Sequence, residues 1–264
     1  ADEQRVVDEI AEDGEQVVSD PLLIPGELAR CYSENIIYLP HAFLGTQPAA
    51  RPAAPGRARF GLGEGDFVFC CFNNANKIDP LTFGSWMRIL EETPGSVLWL
   101  TRDSDIMEGN LRKAARGRGV DPDRLVFTGR LSYEEFMKRH AVADLFLDTF
   151  LYNAGSTAVT ALAAGLPVLT CPGAQNASRM GASVCHAAGL DEMICRDPAD
   201  YERRAVLLAG DRQALDAIRQ RLREHAGELP LFDMKLFASN LEKAYRIAWD
   251  IHEKGEAPRT FTVR

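Results

Sequence analysis

From residue 67 onward the chain alternates between short apolar runs and amphipathic stretches. The apolar runs predict six strands, at FVFCCF, SVLWLT, RLVFTG, LFLDT, PVLTC and EMIC. Helices are predicted between them, near LTFGSWMRILEE, 106–117, SYEEFMKRHAVA, STAVTALAA and NASRMGASVCHAAG. Strands that alternate with helices pair as a parallel sheet with right-handed crossovers. The sequence therefore predicts an α/β fold built on a doubly wound parallel sheet.

A shorter unit and a linker precede this sheet. Apolar runs at 16–19 and 35–40, separated by proline-marked turns, predict the end of an earlier α/β unit. The stretch TQPAARPAAPGRARFGLGEGD lacks hydrophobic periodicity and is rich in Pro, Ala, Gly and Arg, which is typical of a linker. We therefore place a domain boundary near residue 60, which divides the chain into 1–60 and 61–264.

The chain from Asp197 onward is predicted to be a helical tail. In its last helix Leu236, Leu241, Tyr245 and Trp249 fall at helical spacings, which predicts a stripe packed against the rest of the protein. The five histidines of the chain lie at a strand end or in helices. We interpret them as structural or surface residues.

Charge and cysteine content argue against several classes of protein. The 264 residues include 30 basic and 38 acidic side chains, a net charge of −8, so the basic surface that nucleic-acid binding requires is missing. Six cysteines without a CxxC spacing predict reduced core residues, a cytoplasmic protein and no metal site. No apolar stretch approaches the ~18 residues that span a bilayer, and the acidic start does not resemble a signal peptide.

Two loops of the predicted sheet should face each other. In a doubly wound sheet, the loops after the first and fourth strands flank the switch point where ligands bind. These loops are NNANKIDP, with Lys77, and LYNAGST, with Gly155, Ser156 and Thr157. A cation, hydroxyl groups and the free amides of a helix start suit a diphosphate. An ordinary helix cap and a solvated lysine would account for the same residues.

The loop after the third strand, TGRLSYEEFMKRH, offers an aromatic ring and a guanidinium. Phe136 and Arg139 lie about one helical turn apart, so they can share one side of the helix. In one interpretation Phe136 stacks on a base while Arg139 bonds base or ribose oxygens. In the other, Phe136 belongs to the core and Arg139 to the surface.

Three widespread ligand motifs are absent from the sequence. There is no GxGxxG after the first strand of the sheet, no GxxxxGK[ST] and no GxSxG. These absences argue against a dinucleotide-dependent oxidoreductase, a P-loop protein and a serine hydrolase.

Four stretches carry a family resemblance, namely FNNANKIDPLTFGSWMRILEETPGSVLWLTR, RLVFTGRLSYEEFMKRHAVADLFLDTFLYNAGST, GLPVLTCPGAQNASRMGAS and LPLFDMKLFASNLEKAYRIAW. Together they resemble the C-terminal catalytic lobe of the protein O-GlcNAc transferase family, which includes the SPINDLY-type O-fucosyltransferases. YSENIIYLPHAF is similar to the end of that family's N-terminal catalytic lobe, so the resemblance covers nearly the whole chain. It implies a GT-B glycosyltransferase whose Rossmann-like C-terminal lobe binds the nucleotide-sugar.

The resemblance also implies roles for single residues. Lys77 corresponds to the lysine that contacts the donor phosphates, and Ser156 and Thr157 match paired threonines that hold the diphosphate. Phe136 stands where the sugar transferase has a histidine near the uridine, and Arg139 matches its neighbouring basic residue. The donor site is therefore expected to include all five.

Other positions expected in the donor site depart from the family pattern. Asn74 stands where many relatives have Gln, which is similar to the SPINDLY type with its GDP-sugar. Gly155 replaces the usual histidine, Thr160 replaces the acidic residue that grips the ribose, and Tyr133 replaces a lysine. Leu131, in the same loop as Tyr133, is expected to line the donor site as well.

The implied reaction is an inverting, metal-independent transfer to Ser or Thr hydroxyls of a protein acceptor. Lys77 is expected to act catalytically by stabilising the departing diphosphate together with the start of the following helix. The expected donor is a UDP-sugar, with a GDP-sugar as the alternative, and no cofactor is expected. The general base belongs by resemblance to the N-terminal catalytic lobe, most of which this chain lacks; the presence of helical repeats in the full-length protein is left open.

Two other interpretations stay open. The departures at Gly155 and Thr160 suit a degenerate module that acts in protein interaction. A transferase that uses a small molecule or a glycan as acceptor would share the same donor site.

Overall fold

The structure, a computed structural model, describes residues 15–47, 55–224 and 226–264. The acidic N-terminal stretch, the centre of the predicted linker and His225 lie outside the described residues. The strands are β1 (Gln16–Ser19), β2 (Asn35–Tyr38), β3 (Phe67–Cys71), β4 (Ser96–Thr101), β5 (Leu125–Thr128), β6 (Leu145–Leu147), β7 (Val168–Leu169) and β8 (Phe261–Thr262). The α-helices are α1 (Pro80–Glu92), α2 (Asp105–Arg116), α3 (Tyr133–His140), α4 (Ser156–Ala163), α5 (Met180–Ala187), α6 (Pro198–Gly210), α7 (Arg212–Glu224) and α8 (Met234–Glu253).

Five parallel strands form the larger sheet, in the order β5-β4-β3-β6-β7. β4 and β5 follow β3 toward one side of the sheet. β6 then pairs with the other edge of β3, and β7 lies beyond it. This order confirms the predicted doubly wound parallel sheet. All five residues of β3 are buried, as expected of a central strand that is covered on both faces.

The predicted sixth strand is reduced to one bridge. Thr170 pairs with Ile194, whereas Asp191–Met193 forms a 3-10 helix. The prediction of a strand at EMIC was therefore wrong. Met193 and Cys195 are buried, and an apolar run of four residues cannot by itself distinguish a buried turn from a strand.

A second, smaller sheet joins the two ends of the described chain. In it β2 pairs in parallel with both β1 and β8. The tail that was predicted to be helical thus ends in a strand, because a run of two residues carries no periodicity that reveals a distant partner. The predicted boundary near residue 60 falls between the sheets, but the C-terminal segment returns to the smaller sheet. The division into 1–60 and 61–264 stays a prediction.

The last helix, α8, packs on a different face from the predicted stripe. Its buried residues are Asn240, Ala244 and Ile251. Tyr245 and Trp249 are 60% and 59% exposed, so the predicted packing of these two side chains was wrong. Neighbouring positions on a helix point about 100° apart, and the inward face is centred one position earlier, at Ala244.

Two buried charged residues connect the smaller sheet to the larger one. The carboxylate of Asp20, which follows β1, accepts hydrogen bonds from the Phe43 amide at 3.0 Å and the Ser183 hydroxyl at 2.6 Å. Arg179 donates from Nε to the carbonyl of Leu23 at 2.8 Å. Since Ser183 lies in α5 and Arg179 directly precedes it, these bonds hold the loop after β1 against the larger sheet's helices.

The cysteines are all free thiols, and five of the six are buried. The predicted core position is confirmed for those five and wrong for Cys31, which is exposed; their reduced state stays a prediction. No helix among the described residues is long and apolar enough to cross a membrane.

Gly181 lies in the first turn of α5, where that helix meets the ends of β6 and β7. A Cβ atom at this position would overlap with Asp148 Oδ2 and with Thr170 Oγ1. Those two atoms hydrogen bond to each other at 2.9 Å, and both side chains are buried. Only glycine lets the helix approach the strand ends this closely.

Gly181→Ala should therefore lower the free energy of unfolding by roughly 3 kcal/mol, because the new methyl group must displace a buried hydrogen-bonded pair. The matched control is Gly109→Ala in α2, where a Cβ meets nothing within 4 Å. There alanine should raise stability by up to about 1 kcal/mol through its higher helix propensity. Denaturant titration of both variants measures the difference, and equal effects would contradict the close approach at Gly181.

Candidate functional site

The switch point of the sheet lies between β3 and β6. The chain leaves β3 toward β4 and leaves β6 toward β7, so the loops after these two strands diverge and open a crevice at the carboxyl edge. We take residues 72–79 as one wall and residues 148–155 as the other, because Lys77 Nζ in the first bonds to the Asn153 carbonyl in the second. The two predicted loops therefore do face each other.

Lys77 connects these two loops. It ends the short 3-10 helix Ala75–Lys77, and its Nζ donates a hydrogen bond of 2.9 Å to the carbonyl of Asn153. The same ammonium group lies 3.7 Å from the centroid of the Tyr152 ring. Lys77 forms no ion pair with any residue that the structure describes, so its charge is held in place but not neutralised.

The ammonium group of Lys77 is only partly accessible to solvent. Burial lowers the pKa of Lys77, while the nearby Asp148 and Cys71 act in the opposite direction. An ammonium group has three N–H donors, and the carbonyl of Asn153 uses one of them. The remaining donors are available to a ligand in the crevice.

Helix α4 begins at the opposite wall without a side-chain cap. Gly155 is its N-cap residue and makes no side-chain hydrogen bond, so the first amides of the helix lack a partner from the cap. Ser156 is exposed, Thr157 is half-buried, and neither hydroxyl bonds to a described residue. Thr160 donates its hydroxyl to the carbonyl of Ser156 at 2.9 Å. The interpretation of Ser156 or Thr157 as an ordinary cap is therefore not supported.

Beside the crevice, next to the loop after β3, lies a cavity. Its volume is about 240 Å³. It lies at the ends of β3, β4 and β5 and against α3. The lining residues are Phe72, Asn74, Thr101, Asp103, Gly129, Arg130, Leu131, Phe136 and Arg139.

Arg139 lies between two aromatic rings in this cavity. Its guanidinium carbon is 3.8 Å from the ring centroid of Phe72 and 4.4 Å from that of Phe136. One Nη donates to the Thr101 hydroxyl at 3.3 Å, whereas Nε is buried without a partner. Arg139 is only 2% exposed, so the alternative that placed it on the surface was wrong. A buried donor without a partner is rare in folded proteins, so the Nε of Arg139 is an exception within this site.

Burial also sets the charge states around Arg139. It lowers the pKa of Arg139 to about 10, so the guanidinium stays charged at neutral pH. Burial and the charge of Arg139 lower the pKa of the adjacent His140 to about 3. His140 is therefore neutral, and its Nδ1 hydrogen bonds to the Phe136 carbonyl at 2.7 Å.

The structure brings most of the predicted site residues to these two places. Asn74, Leu131, Phe136 and Arg139 share the cavity, and α3 packs against α4. The remaining predicted residues lie as follows: Lys77 spans the crevice, Gly155, Ser156 and Thr157 begin α4, Thr160 lies one turn further, and Tyr133 begins α3 with a side chain outside the described atoms. Their roles in binding stay predictions.

Sequence reasoning missed several residues of the site. Phe72, Thr101 and Asp103 line the cavity, and the Asp103 carboxylate accepts the Ala75 amide at 2.9 Å. Each follows or ends an apolar strand at the carboxyl edge. That position is the signal that could have identified them. Asp148, directly after β6, carries the same signal.

Metal ligation has no support from side-chain clustering. Among residues 15–47, 55–224 and 226–264 there is no group of three or more His, Cys, Asp or Glu side chains that could hold a metal ion.

Comparison with solved structures supports the architecture. The chain superposes on a mutant of the Thermobaculum terrenum O-GlcNAc transferase with a TM-score of 0.82 and 30% identity, over 91% of this chain and 46% of that one. A sucrose-phosphate synthase from Thermosynechococcus elongatus, at 16% identity and a TM-score of 0.64, shares the fold. These likenesses confirm the Rossmann-like fold expected for one lobe of a GT-B glycosyltransferase.

Sequence comparison points to the same family. The chain is 36% identical over 255 residues to a probable UDP-N-acetylglucosamine–peptide N-acetylglucosaminyltransferase, SEC, of Arabidopsis thaliana, covering 94% of this chain and 26% of that protein. It is 30% identical over 247 residues to the SPINDLY protein of Solanum lycopersicum, covering 91% and 26%. The chain thus spans about a quarter of the length of these curated relatives. The model of glycosyl transferase family 41 matches residues 45–241, and the chain belongs to that family.

Proposed function

We propose that this chain is the donor-binding part of a protein O-glycosyltransferase that moves a sugar from a nucleoside-diphosphate sugar to a Ser or Thr hydroxyl. The observation that carries this proposal is the crevice at the switch point. There the unpaired cation of Lys77 lies opposite the uncapped start of α4. The names of the relatives support UDP-N-acetylglucosamine as the donor.

The crevice suits a diphosphate because each of its walls offers the anion one electropositive group. The free amides at a helix start and the helix dipole favour an anion, and Lys77 adds a full charge with free donors. In the protein the net charge is −8, so binding of an anion depends on this local arrangement. The exposed hydroxyl of Ser156 supplies a further donor at the same place.

The adjacent cavity suits a nucleoside base. Phe136 offers a partly exposed ring for stacking, and the buried Nε of Arg139 lacks a hydrogen-bond partner. Carbonyl oxygens on the edge of a base or hydroxyls of a ribose can accept hydrogen bonds from Arg139, which lines the cavity. Because α3 packs against α4, one nucleoside diphosphate can occupy the cavity and the crevice together.

In the proposed reaction the acceptor hydroxyl attacks the anomeric carbon while the bond from that carbon to the diphosphate oxygen breaks. Negative charge grows on the departing diphosphate, and fixed donors that are already oriented stabilise it. Lys77 and the start of α4 perform this role in an inverting, metal-independent transfer.

The group that takes the proton from the acceptor is proposed to come from outside this chain. His140 is buried and neutral at neutral pH. His186 bonds to Asp191 at 2.6 Å, and His252 lies beside Trp249 on α8. None of these described histidines lines the crevice or the cavity.

A role as an interaction module is the second candidate. It is favoured by two positions: Gly155 offers no side chain to the crevice, and the Thr160 hydroxyl is bonded within its own helix. A chain of this kind would keep the fold without binding a nucleotide.

The proposal predicts that Lys77→Ala lowers the affinity for UDP by about 1.5–3 kcal/mol, because one charge-assisted hydrogen bond to the diphosphate is lost. Calorimetric titration with UDP and, in parallel, GDP measures this loss and identifies the preferred base. Lys113→Ala is the matched control, since Lys113 is exposed on α2 and should not affect binding. Absence of binding to either nucleotide would favour the interaction module.

A second prediction distinguishes binding of the base in the cavity from binding of the diphosphate in the crevice. Phe136→Leu should weaken the binding of UDP by about 1–2 kcal/mol, because the stacking surface for the base is lost. It should leave the affinity for inorganic pyrophosphate unchanged. Lys77→Ala should lower the affinity for both UDP and pyrophosphate. Titrations of the two variants with the two ligands test this. An equal loss of both ligands in Phe136→Leu would contradict a base in the cavity.

A further inference from the structure

Asp148 is the central hydrogen-bond acceptor of the loop that forms one wall of the crevice. Its Oδ1 accepts the amides of Thr149 at 2.8 Å and Ala154 at 2.7 Å. Its Oδ2 accepts the hydroxyl of Thr170 at 2.9 Å, and Asn73 lies at 3.4 Å from Oδ1. One carboxyl group thus contacts residues that follow three neighbouring strands, β3, β6 and β7.

These contacts control both parts of the crevice. Ala154, bound by Asp148, directly precedes Gly155, the N-cap of α4. The preceding residue, Asn153, presents the carbonyl that accepts Lys77 Nζ. The position of the helix start and the position of the ammonium group therefore both depend on the backbone at 153–154.

The surroundings of Asp148 enclose its carboxyl group on every side that these contacts describe. The side chain is completely buried, and its own carbonyl accepts the Tyr201 hydroxyl at 3.0 Å. On the side of α5, any side chain at Gly181 would overlap with Oδ2. No described Lys, Arg or His side chain forms an ion pair with it, so hydrogen bonds alone hold this carboxyl group.

We propose that Asp148 is a positioning residue for the diphosphate: its carboxyl group holds the loop 149–155 in the form that sets Lys77 opposite the start of α4. The inference rests on the proposed function, because it assumes that a diphosphate occupies the crevice. Asp148 does not touch the ligand and acts through Ala154 and Asn153.

Because Asp148 lies in a wall of the crevice, its charge also affects the affinity for an anion that binds there. Burial raises the pKa of Asp148 to about 7, against the opposing effect of its hydrogen bonds. The titratable groups that face it are Lys77 and Cys71 from the side of β3, Cys171 from the end of β7, Cys185 from α5 and Tyr201 from α6. Burial raises the pKa of each of these thiols and of the tyrosine, so they stay neutral at physiological pH.

The sign of the pH effect follows from repulsion. A bound diphosphate disfavours a negative charge beneath it, so ligand binding raises the pKa of Asp148 further. Affinity is then highest where Asp148 is protonated and falls as pH rises through its pKa in the free protein. We therefore expect the affinity to fall between pH 6 and pH 8, on either side of that pKa.

Two substitutions separate the hydrogen bonds from the charge. Asp148→Asn keeps an oxygen for the Thr149 and Ala154 amides, and its amide group can donate to Thr170, whose hydroxyl can also accept. Asp148→Ala removes every one of these bonds. The control is Asp144→Asn, at the opposite end of the same strand, where a buried carboxylate bonds to the Val68 amide at 2.8 Å and pairs with Arg57.

The experiment is calorimetric titration of the wild-type chain and the three variants with UDP-N-acetylglucosamine from pH 6 to pH 8. This donor is chosen because its phosphates do not titrate in that range, unlike a terminal phosphate with a pKa of about 6. We expect Asp148→Ala to lose at least about tenfold in affinity at pH 6. Asp148→Asn should restore most of it, without the pH dependence of the wild type. Asp144→Asn should lower stability and leave affinity and its pH dependence unchanged.

Each outcome decides between the alternatives. If the wild type binds and Asp148→Asn keeps the wild-type pH dependence, that dependence belongs to another group, and the inference about Asp148 is overturned while the proposed function stands. Equal affinity of Asp148→Ala and the wild type overturns it as well. If Asp148→Ala does not fold, the pH profile of Asp148→Asn alone decides. No binding by the wild type overturns both the proposed function and the inference.

Discussion

The pairing of β3 with β4 on one edge and β6 on the other is the constraint on which the rest of the structure depends. Parallel strands need crossover connections of one hand, so connections that start in opposite directions leave a gap between their loops. The crevice arises from this topology and needs no special residues to open it. Lys77 and the start of α4 come together because each lies a few residues beyond one of the two central strands.

The cations of the candidate site are held differently from the arginines that pair with buried carboxylates. At the switch point, Lys77 is held by a carbonyl and a ring, and Arg139 by two rings and a hydroxyl. Elsewhere buried carboxylates pair with arginines, as Asp144 does with Arg57 and Asp200 with Arg204. Carbonyls and aromatic rings orient a cation without cancelling its charge. The positive charges of Lys77 and Arg139 therefore remain available to an anionic ligand although the net charge of the protein is −8.

Much of the fold could be predicted from the sequence because its signals are local. Strand β3 and helix α4 follow from a buried apolar run and from an alanine-rich stretch after a small polar turn. The same reasoning failed where the decisive partner is distant. The EMIC run forms a turn with one bridge, and Phe261–Thr262 forms a strand only because it pairs with β2. Tyr245 is exposed because the inward face of α8 is centred on Ala244.

The candidate site divides in the same way. Its residue types and their order after the strands were visible, so Lys77, Phe136, Arg139 and the residues from Gly155 to Thr157 could be named in advance. The sequence could not reveal that Arg139 is buried between Phe72 and Phe136, because Phe72 comes from a different strand. Nor could it reveal that Asp148 is enclosed by residues that follow three strands.

The sequence by itself determined the alternation of strands and helices, and with it the doubly wound sheet and the two loops that flank its switch point. Periodicity and turn chemistry act within a few residues, so they can be recognised along the chain. Only the tertiary structure decided which charges are buried, which hydroxyls remain free and which face of α8 packs. Burial and hydrogen bonding depend on atoms contributed by distant parts of the chain, and those atoms meet only in the folded protein.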